Sequence, residues 1–154
     1  MKFIGVDPGS VSGNIAVISD DGYECFAFKN TTLREMYLFL YHTQSTINTD
    51  SRVTAILERV HGMPGMGVKS VSAFMKNVGH IEMALSAVPV SWKDVTPMTW
   101  MKHFNMKKEK TETKTMWKNR LKDLAERRMP TAPINRENAD AFLIALYCKE
   151  TYNN

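Results

Sequence analysis

The spacing of apolar residues along the chain alternates between two periods. Short runs that are continuously apolar, or that alternate apolar with polar positions, predict strands, and the longer three- and four-residue repeats predict helices. An Asp20-Asp21-Gly22 turn joins the second strand to the third. The predicted strands cover residues 2–7, 13–19, 23–28, 53–58 and 88–95.

The helical segments carry recognisable start and stop signals. Thr31 or Thr32 caps a first helix, and Thr96-Pro97 is typical of the entry to a short helix that runs through Phe104. A basic helix before Pro130 has Met116, Leu121, Leu124 and Ala125 as its predicted packed stripe. Two further helices carry apolar repeats over residues 71–85 and 138–151.

Three strands, a helix, a strand, a helix, a strand and then helices predict an α/β fold in which helices flank a mixed five-stranded sheet. At 154 residues and 44% hydrophobic content, the chain has the size of one well-cored domain, so residues 1–154 are predicted to form a single domain. We find no internal repeat and no low-complexity linker.

Cysteine content and hydropathy give an expectation for the compartment. Cys25 and Cys148 lie in apolar runs without metal-ligand spacing, which predicts buried free thiols in a reducing environment. No stretch approaches 18 consecutive apolar residues. We therefore expect a soluble cytoplasmic protein without membrane contact.

Positive charge is concentrated towards the C-terminus. The net charge is +4, yet residues 1–60 carry 5 basic and 7 acidic side chains, whereas residues 101–128 carry 10 basic and 4 acidic ones. This asymmetry fits a polyanionic partner such as nucleic acid, although a solvated helical face would give a similar pattern.

Four acidic residues are candidates for one site. Asp7 and Glu58 each end an apolar strand, and Glu137 and Asp140 are three residues apart at the start of a helical segment, so that both are expected on one helical face. Clustered carboxylates repel one another unless a cation neutralises them, and oxygen ligands favour magnesium or manganese. The four acids together predict a metal-dependent nuclease. Asp7 alone also fits a turn and Glu137 a helix start, whereas Glu58 has no turn or capping role and would be costly to bury without a partner.

Three sequence blocks carry a resemblance to a known family. They are Gly5-Val-Asp-Pro-Gly-Ser, Leu57-Glu-Arg-Val-His and Glu137-Asn-Ala-Asp-Ala-Phe-Leu-Ile-Ala. In order and spacing they resemble the RuvC-type Holliday-junction resolvases of the RNase H-like superfamily, especially the short bacteriophage forms. The resemblance covers nearly the whole chain.

The resemblance implies a catalytic role for the four carboxylates. Matched position by position, Asp7, Glu58, Glu137 and Asp140 would hold two Mg²⁺ ions, for which Mn²⁺ can substitute. Glu137 departs from the usual Asp, and its longer side chain must fold back to reach the same metal. The implied activity is paired nicking of four-way DNA junctions, leaving 5′-phosphate ends, by a homodimer.

DNA contacts are expected from a glycine-rich loop, from the helix that follows it and from the basic segment. Met63, Met66 and Phe74 are candidates for contacts with exposed bases, although the spacing of Phe74 also fits a core position. Nearby His61 is expected to support the loop. The candidate phosphate contacts are Lys69, Lys76, Lys102, Lys107, Lys108, Lys110, Lys114 and Lys118.

Other functions remain open on the sequence alone. An actin-like phosphotransferase would share the strand order but needs two such domains. A catalytically silent junction-binding domain would have lost at least one carboxylate. A nuclease of the same fold acting on an RNA–DNA hybrid, or on flap or Y-shaped DNA, is the closest rival, because loops rather than carboxylates select the substrate.

Overall fold

A mixed five-stranded sheet forms the centre of the molecule. The computed structural model describes residues 1–9, 12–45, 53–60, 65 and 67–152. The order across the sheet is β3-β2-β1-β4-β5; β1 pairs in parallel with β4, and β4 with β5, whereas β1–β2 and β2–β3 are antiparallel. The strands are β1 (Lys2–Asp7), β2 (Asn14–Ser19), β3 (Gly22–Ala27), β4 (Val53–Glu58) and β5 (Ser91–Val95).

Helices cover both faces of this sheet, which confirms the predicted fold class. One apolar cluster joins Ile4, Val6 and Leu57 to the first two helices, and a second joins Phe3 and Ile56 to the other three. Alternate residues of β1 therefore serve opposite cores. The helices are α1 (Leu33–Ser45), α2 (Val68–Ala87), α3 (Pro97–His103), α4 (Lys114–Arg128) and α5 (Ala139–Tyr152).

A glycine in β1 sets how closely α5 lies on the sheet. A Cβ atom on Gly5 would lie 2.2 Å from both the Ala141 carbonyl oxygen and the Ala145 amide nitrogen. Such distances are far inside van der Waals contact, so only glycine permits this packing. The close approach brings the first turn of α5 towards the C-terminal end of β1.

The structure corrects several predictions in detail. Met116 is 55% exposed, and the buried stripe of α4 is instead Trp117, Leu121 and Ala125, because the stripe begins at the tryptophan one residue later. The fifth strand begins at Ser91 rather than at Val88. Val88 is the C-cap residue of α2, and both Val88 and Val90 pack in the apolar cluster that contains α1 and α2.

The two cysteines differ in burial. Cys148 is buried as predicted, whereas Cys25 is only half-buried. No helix in the described ranges is long and apolar enough to cross a membrane.

Candidate active site

Three of the four predicted carboxylates come together at one edge of the sheet. Asp7 ends β1 and Glu58 ends β4, and these strands are parallel neighbours in which Val6 is paired with Leu57. Asp140 reaches the same edge from the first turn of α5. The three side chains are close enough that the charges of Asp7 and Asp140 both act on Glu58.

The Asp7 carboxyl group is held by the turn that follows β1. Its Oδ1 accepts a hydrogen bond from the Gly9 amide at 3.2 Å. Burial raises the pKa of Asp7 to about 6, with a further contribution from the negative charge of Asp140 and opposing ones from the Gly9 amide and Lys118. Ionisation of Asp7 is therefore costly in this environment.

Glu58 is perturbed in the same direction as Asp7. Burial, reinforced by the charges of Asp7 and Asp140, raises the pKa of Glu58 to about 7, although Trp100 and Lys118 oppose the shift. The Trp100 Nε1–H group donates to Glu58 Oε1 at 2.9 Å, and both side chains are buried. A divalent cation bound beside this carboxyl group would stabilise its ionised form and lower its pKa.

Asp140 forms an ion pair with Lys118 of α4, through Oδ2 and the Nζ ammonium group. Within the described ranges, Asp140 Oδ1 is buried and has no hydrogen-bond partner. Partial burial alone lowers the pKa of Lys118, but the charge of Asp140, the hydrogen bond to it and the charges of Asp7 and Glu58 together raise that pKa. Lys118 thus supplies positive charge to the carboxylate cluster.

Glu137 lies in a turn and not on the helix where the sequence placed it. It precedes α5, which begins at Ala139, and its side chain is exposed, so it does not share a helical face with buried Asp140. The Glu137 amide donates to Asn135 Oδ1 at 2.8 Å, and its carbonyl accepts from Asn14 Nδ2 at 3.1 Å. These bonds anchor the Glu137 backbone beside the site. The start of the turn at Asn135 was not evident from apolar spacing, so the predicted helical register placed Glu137 on the helix.

The donor chemistry of the cluster fits a divalent cation. Carboxylate oxygens are the ligands that Mg²⁺ and Mn²⁺ prefer, and Asp140 Oδ1 is a buried acceptor without a donor in the described part of the chain. No three His, Cys, Asp or Glu side chains among the described residues lie close enough to enclose one ion. Because Lys118 is bonded to Oδ2, Oδ1 is the Asp140 oxygen that remains available to a cation.

The predicted DNA-binding lysines divide into two groups. Lys118 is the member that lies in the carboxylate cluster. Met63 and Met66, like His61, are outside the described residues. Exposed lysines that do not take part in the cluster are Lys69 and Lys76 on α2, Lys102 on α3, Lys107, Lys108 and Lys110 in the α3–α4 connection, and Lys114 at the start of α4.

Two neighbours of the site were missed by the sequence reasoning. Trp100 was assigned only to a short helix, and nothing in the local pattern links it to Glu58, 42 residues earlier. Arg59 forms an ion pair with Asp94 of β5, with Nη2 2.7 Å from Oδ1, beside a cavity of about 250 Å³ that adjoins Glu58. A charged pair on adjacent strands becomes predictable only once the β4–β5 register is known.

Comparison with known proteins identifies the fold. No protein-family model and no curated protein sequence matches the chain. Among solved structures, the chain is similar to RuvC of Thermus thermophilus in complex with a Holliday junction substrate, with a TM-score of 0.61 at 14% identity, covering 96% of this chain and 92% of that chain. A second T. thermophilus RuvC structure matches with a TM-score of 0.57 at 15% identity and the same coverage. The chain therefore has a RuvC-type fold.

Proposed function

We propose that the protein is a metal-dependent, structure-selective endonuclease that resolves four-way DNA junctions, and other branched DNA, by paired nicks. The observation that carries this proposal is the convergence of Asp7, Glu58 and Asp140 from β1, β4 and α5 at one edge of a RuvC-type sheet. Raised pKa values at Asp7 and Glu58 support it, because clustered acids of this kind are typical of catalytic sites.

The residues of the cluster have separate tasks in the proposed reaction. Asp7, Glu58 and Asp140 hold the cations, with Glu137 as a fourth ligand if its side chain turns inward. When bound, two magnesium ions supply Lewis-acid activation of a water and stabilisation of the leaving oxygen. Water attacks phosphorus in line, the bond to the 3′ oxygen breaks, and the products carry a 5′ phosphate and a 3′ hydroxyl.

Lys118 is proposed to act at the centre of the cluster rather than on distant phosphates. Its ammonium group is paired with Asp140, and the charges of Asp7 and Glu58 also act on it. A cation at this position keeps three carboxylates near one another before metal and DNA arrive. It also places positive charge at the edge of the sheet where the scissile phosphate has to lie.

Branched DNA is the substrate that best fits the charge distribution. Half of the chain's basic residues lie between residues 101 and 128, and most of the lysines in this segment are exposed. A RuvC of the same fold was solved with a Holliday junction substrate. We propose that the exposed lysines bind the phosphates of two junction arms while the carboxylates face the strand that is cut.

We further propose that a homodimer performs the paired cuts, with α2 at its twofold axis. On α2, three apolar side chains are exposed: Val68 at 84%, Met75 at 42% and Met83 at 68%. A Cβ atom at Gly79 would meet no atom within 4 Å, so this position leaves room for a neighbouring helix. Pairing two copies through this surface would cover the apolar side chains and present two active sites.

A substrate panel tests the proposed function. Matched four-way, Y-shaped, duplex and RNA–DNA hybrid substrates are incubated with the protein in magnesium or in chelator. We expect symmetric paired nicks in the four-way junction, only with magnesium. If cutting is confined to the RNA–DNA hybrid or to Y-shaped DNA, that nucleic acid and not the four-way junction is the substrate. Binding without any cutting would favour a silent binding domain.

A further inference from the structure

Trp100 is a core tryptophan whose indole N–H group is bonded to Glu58. Trp100 is fully buried, with 0% of its surface exposed, and its ring packs in the cluster between the sheet and the helices α3 to α5. Its one polar group could have been satisfied by a backbone carbonyl. It donates instead to Oε1 of a carboxylate at the candidate active site, at 2.9 Å.

The backbone around this contact is fixed at several points. Glu58 is paired with Val95 across β4 and β5, and the Arg59 amide donates to the Val95 carbonyl at 2.7 Å. Only Thr96 separates the end of β5 from the start of α3 at Pro97. Trp100 therefore stands on a short helix that begins beside Glu58 and has little freedom to move relative to it.

An indole suits this position because of its chemistry. The Nε1–H group is a donor only, so it cannot act as a metal ligand or accept a proton. A lysine in this place would neutralise the carboxylate, and a histidine would compete for the cation. Tryptophan orients the carboxylate and leaves its charge available.

From these contacts we infer that Trp100 is a positioning residue, whose N–H group fixes the rotation of the Glu58 carboxylate so that it presents one defined orientation to a divalent cation. The inference rests on the proposed function, since it concerns how this same site binds its metal. Hydrogen-bond partners of metal ligands typically contribute ten- to hundredfold to metal affinity.

Substitution of Trp100 by Phe tests the inference, because it removes the donor and retains most of the buried ring. Trp92→Phe is the matched control, since the Trp92 N–H group donates to Ser86 Oγ at 3.3 Å, outside the carboxylate cluster. Two midpoints are measured: the Mn²⁺ concentration that raises the Tm of the DNA-free protein, and the Mg²⁺ concentration that supports cleavage.

We expect both metal midpoints to rise about tenfold or more in Trp100→Phe. Both should be unchanged in Trp92→Phe. A purely structural role for Trp100 would lower Tm without metal and reduce the active fraction, but it would leave the midpoints where they are. Unchanged midpoints in folded Trp100→Phe would therefore overturn the inference.

A second measurement does not depend on the stability of that variant. The chain has three tryptophans, so the double substitution Trp92→Phe and Trp117→Phe leaves Trp100 as the sole tryptophan, whose emission is excited selectively over that of tyrosine. Paramagnetic Mn²⁺ bound by Glu58 would quench Trp100 emission with the same midpoint as its effect on Tm. Emission that stays constant while Tm rises would place the metal away from Glu58 and its indole partner, against the inference.

The two levels of proposal fail in different ways. If the wild-type protein neither gains stability from Mn²⁺ nor cuts any substrate, the proposed function itself is wrong. If wild-type protein does both and Trp100→Phe has the same midpoints, the nuclease stands and only the positioning role is lost.

Discussion

The carboxyl groups of Asp7 and Glu58 are held where their ionisation costs free energy. Burial is the largest cause at both residues, and neighbouring negative charge adds to it. Lys118 offsets this cost only in part, because its ammonium group is bonded to Asp140. Without a bound cation, the ionised cluster therefore lowers the stability of the folded protein. Such a loss of stability is common at sites that bind a charged ligand.

Replacement of Glu58 by Gln should stabilise the metal-free protein at high pH. The Glu58 pKa is about 7 in the folded state against an ordinary value of 4.5, so the folded state retains a proton that the unfolded state has lost. Stability falls as pH rises through this window, and the loss is complete above about pH 7. A shift of this size corresponds to roughly 3 kcal/mol.

Denaturation of wild-type protein and Glu58→Gln in chelator at pH 5 and pH 8 measures this effect. The advantage of the Gln variant should be small at pH 5 and large at pH 8, and excess Mn²⁺ should remove it by stabilising only the wild type. An advantage that is equal at both pH values would show that ionisation of Glu58 carries no such cost.

Two lysines one helical turn apart on α4 should differ in their roles. Lys118→Ala removes the partner of Asp140 and should abolish most cleavage while junction affinity changes little. Lys114→Ala, at an exposed position, should weaken binding and reduce the slope of log K against log salt by up to about 0.9, the value for one phosphate contact. Salt-dependent binding and single-turnover cleavage distinguish the two roles; equal effects of both substitutions would contradict the division.

At the scale of the secondary structure elements, contact between β1 and α5 assembles the site. Asp7 ends the strand and Asp140 lies in the first turn of the helix, and Gly5 allows the helix to lie directly on the strand. The loops at the start of α5 add to this, since Asn14 Nδ2 donates to the carbonyls of both Ser12 and Glu137. The positions of Asp7 and Asp140 thus depend on close backbone packing between β1 and α5, which any side chain at Gly5 would prevent.

Gly5→Ala should destabilise the protein by about 2 to 3 kcal/mol, because the new methyl group would meet α5 backbone atoms at 2.2 Å. Gly67→Ala is the control, since a Cβ atom there would meet nothing within 4 Å. Chemical denaturation should find the control within about 1 kcal/mol of wild type, a cost expected for alanine at the N-cap position that Gly67 occupies in α2. A Gly5 variant as stable as the control would mean that α5 can withdraw from the sheet at no cost.

The sequence predicted those features that depend on local pattern. The continuous apolar run of β4 gave both of its ends, and acids closing two parallel strands placed Asp7 and Glu58 at one edge. Features that depend on tertiary contacts were not predictable. The bond from Trp100 to Glu58 spans 42 residues and the ion pair from Lys118 to Asp140 spans 22, and neither leaves a periodic signal.

At the scale of the whole molecule, exposed apolar side chains and exposed lysines both occur on α2 and on the segment from α3 to α4. On α2, Val68, Met75 and Met83 are exposed alongside Lys69 and Lys76, whereas the segment from α3 to α4 carries five exposed lysines. We propose that the apolar side chains of α2 contact a second copy of the chain and that the lysines contact DNA phosphates. A dimer built in this way would hold two active sites on one junction, as paired nicking requires.

Met83→Glu should shift the protein from dimer to monomer, because it introduces a charge into the proposed apolar interface. Met98→Glu is a matched control: Met98 is also largely exposed, at 80%, but it lies on α3. Sedimentation equilibrium should show a weakened dimer only for Met83→Glu, and its cleavage should become uncoupled single nicks. A wild-type monomer at micromolar concentration, or a dimer insensitive to Met83, would refute the α2 interface.

Replacement of Asp7 by Asn tests the central claim most directly. The substitution keeps the size of the side chain and an Oδ1 acceptor for the Gly9 amide, but it removes one negative charge from the cluster. Asp20→Asn is the control, since Asp20 is an exposed acid paired with the N-terminus, outside the carboxylate cluster. Junction affinity is measured in chelator, and single-turnover cleavage is measured in magnesium.

We expect Asp7→Asn to bind four-way junctions as tightly as wild type and to lose all measurable cleavage. The Asp20→Asn control should make the same symmetric paired nicks as wild type. Cleavage by Asp7→Asn at near the wild-type rate would contradict a carboxylate-held metal at the ends of β1 and β4, and with it the assignment of this edge of the sheet as the active site.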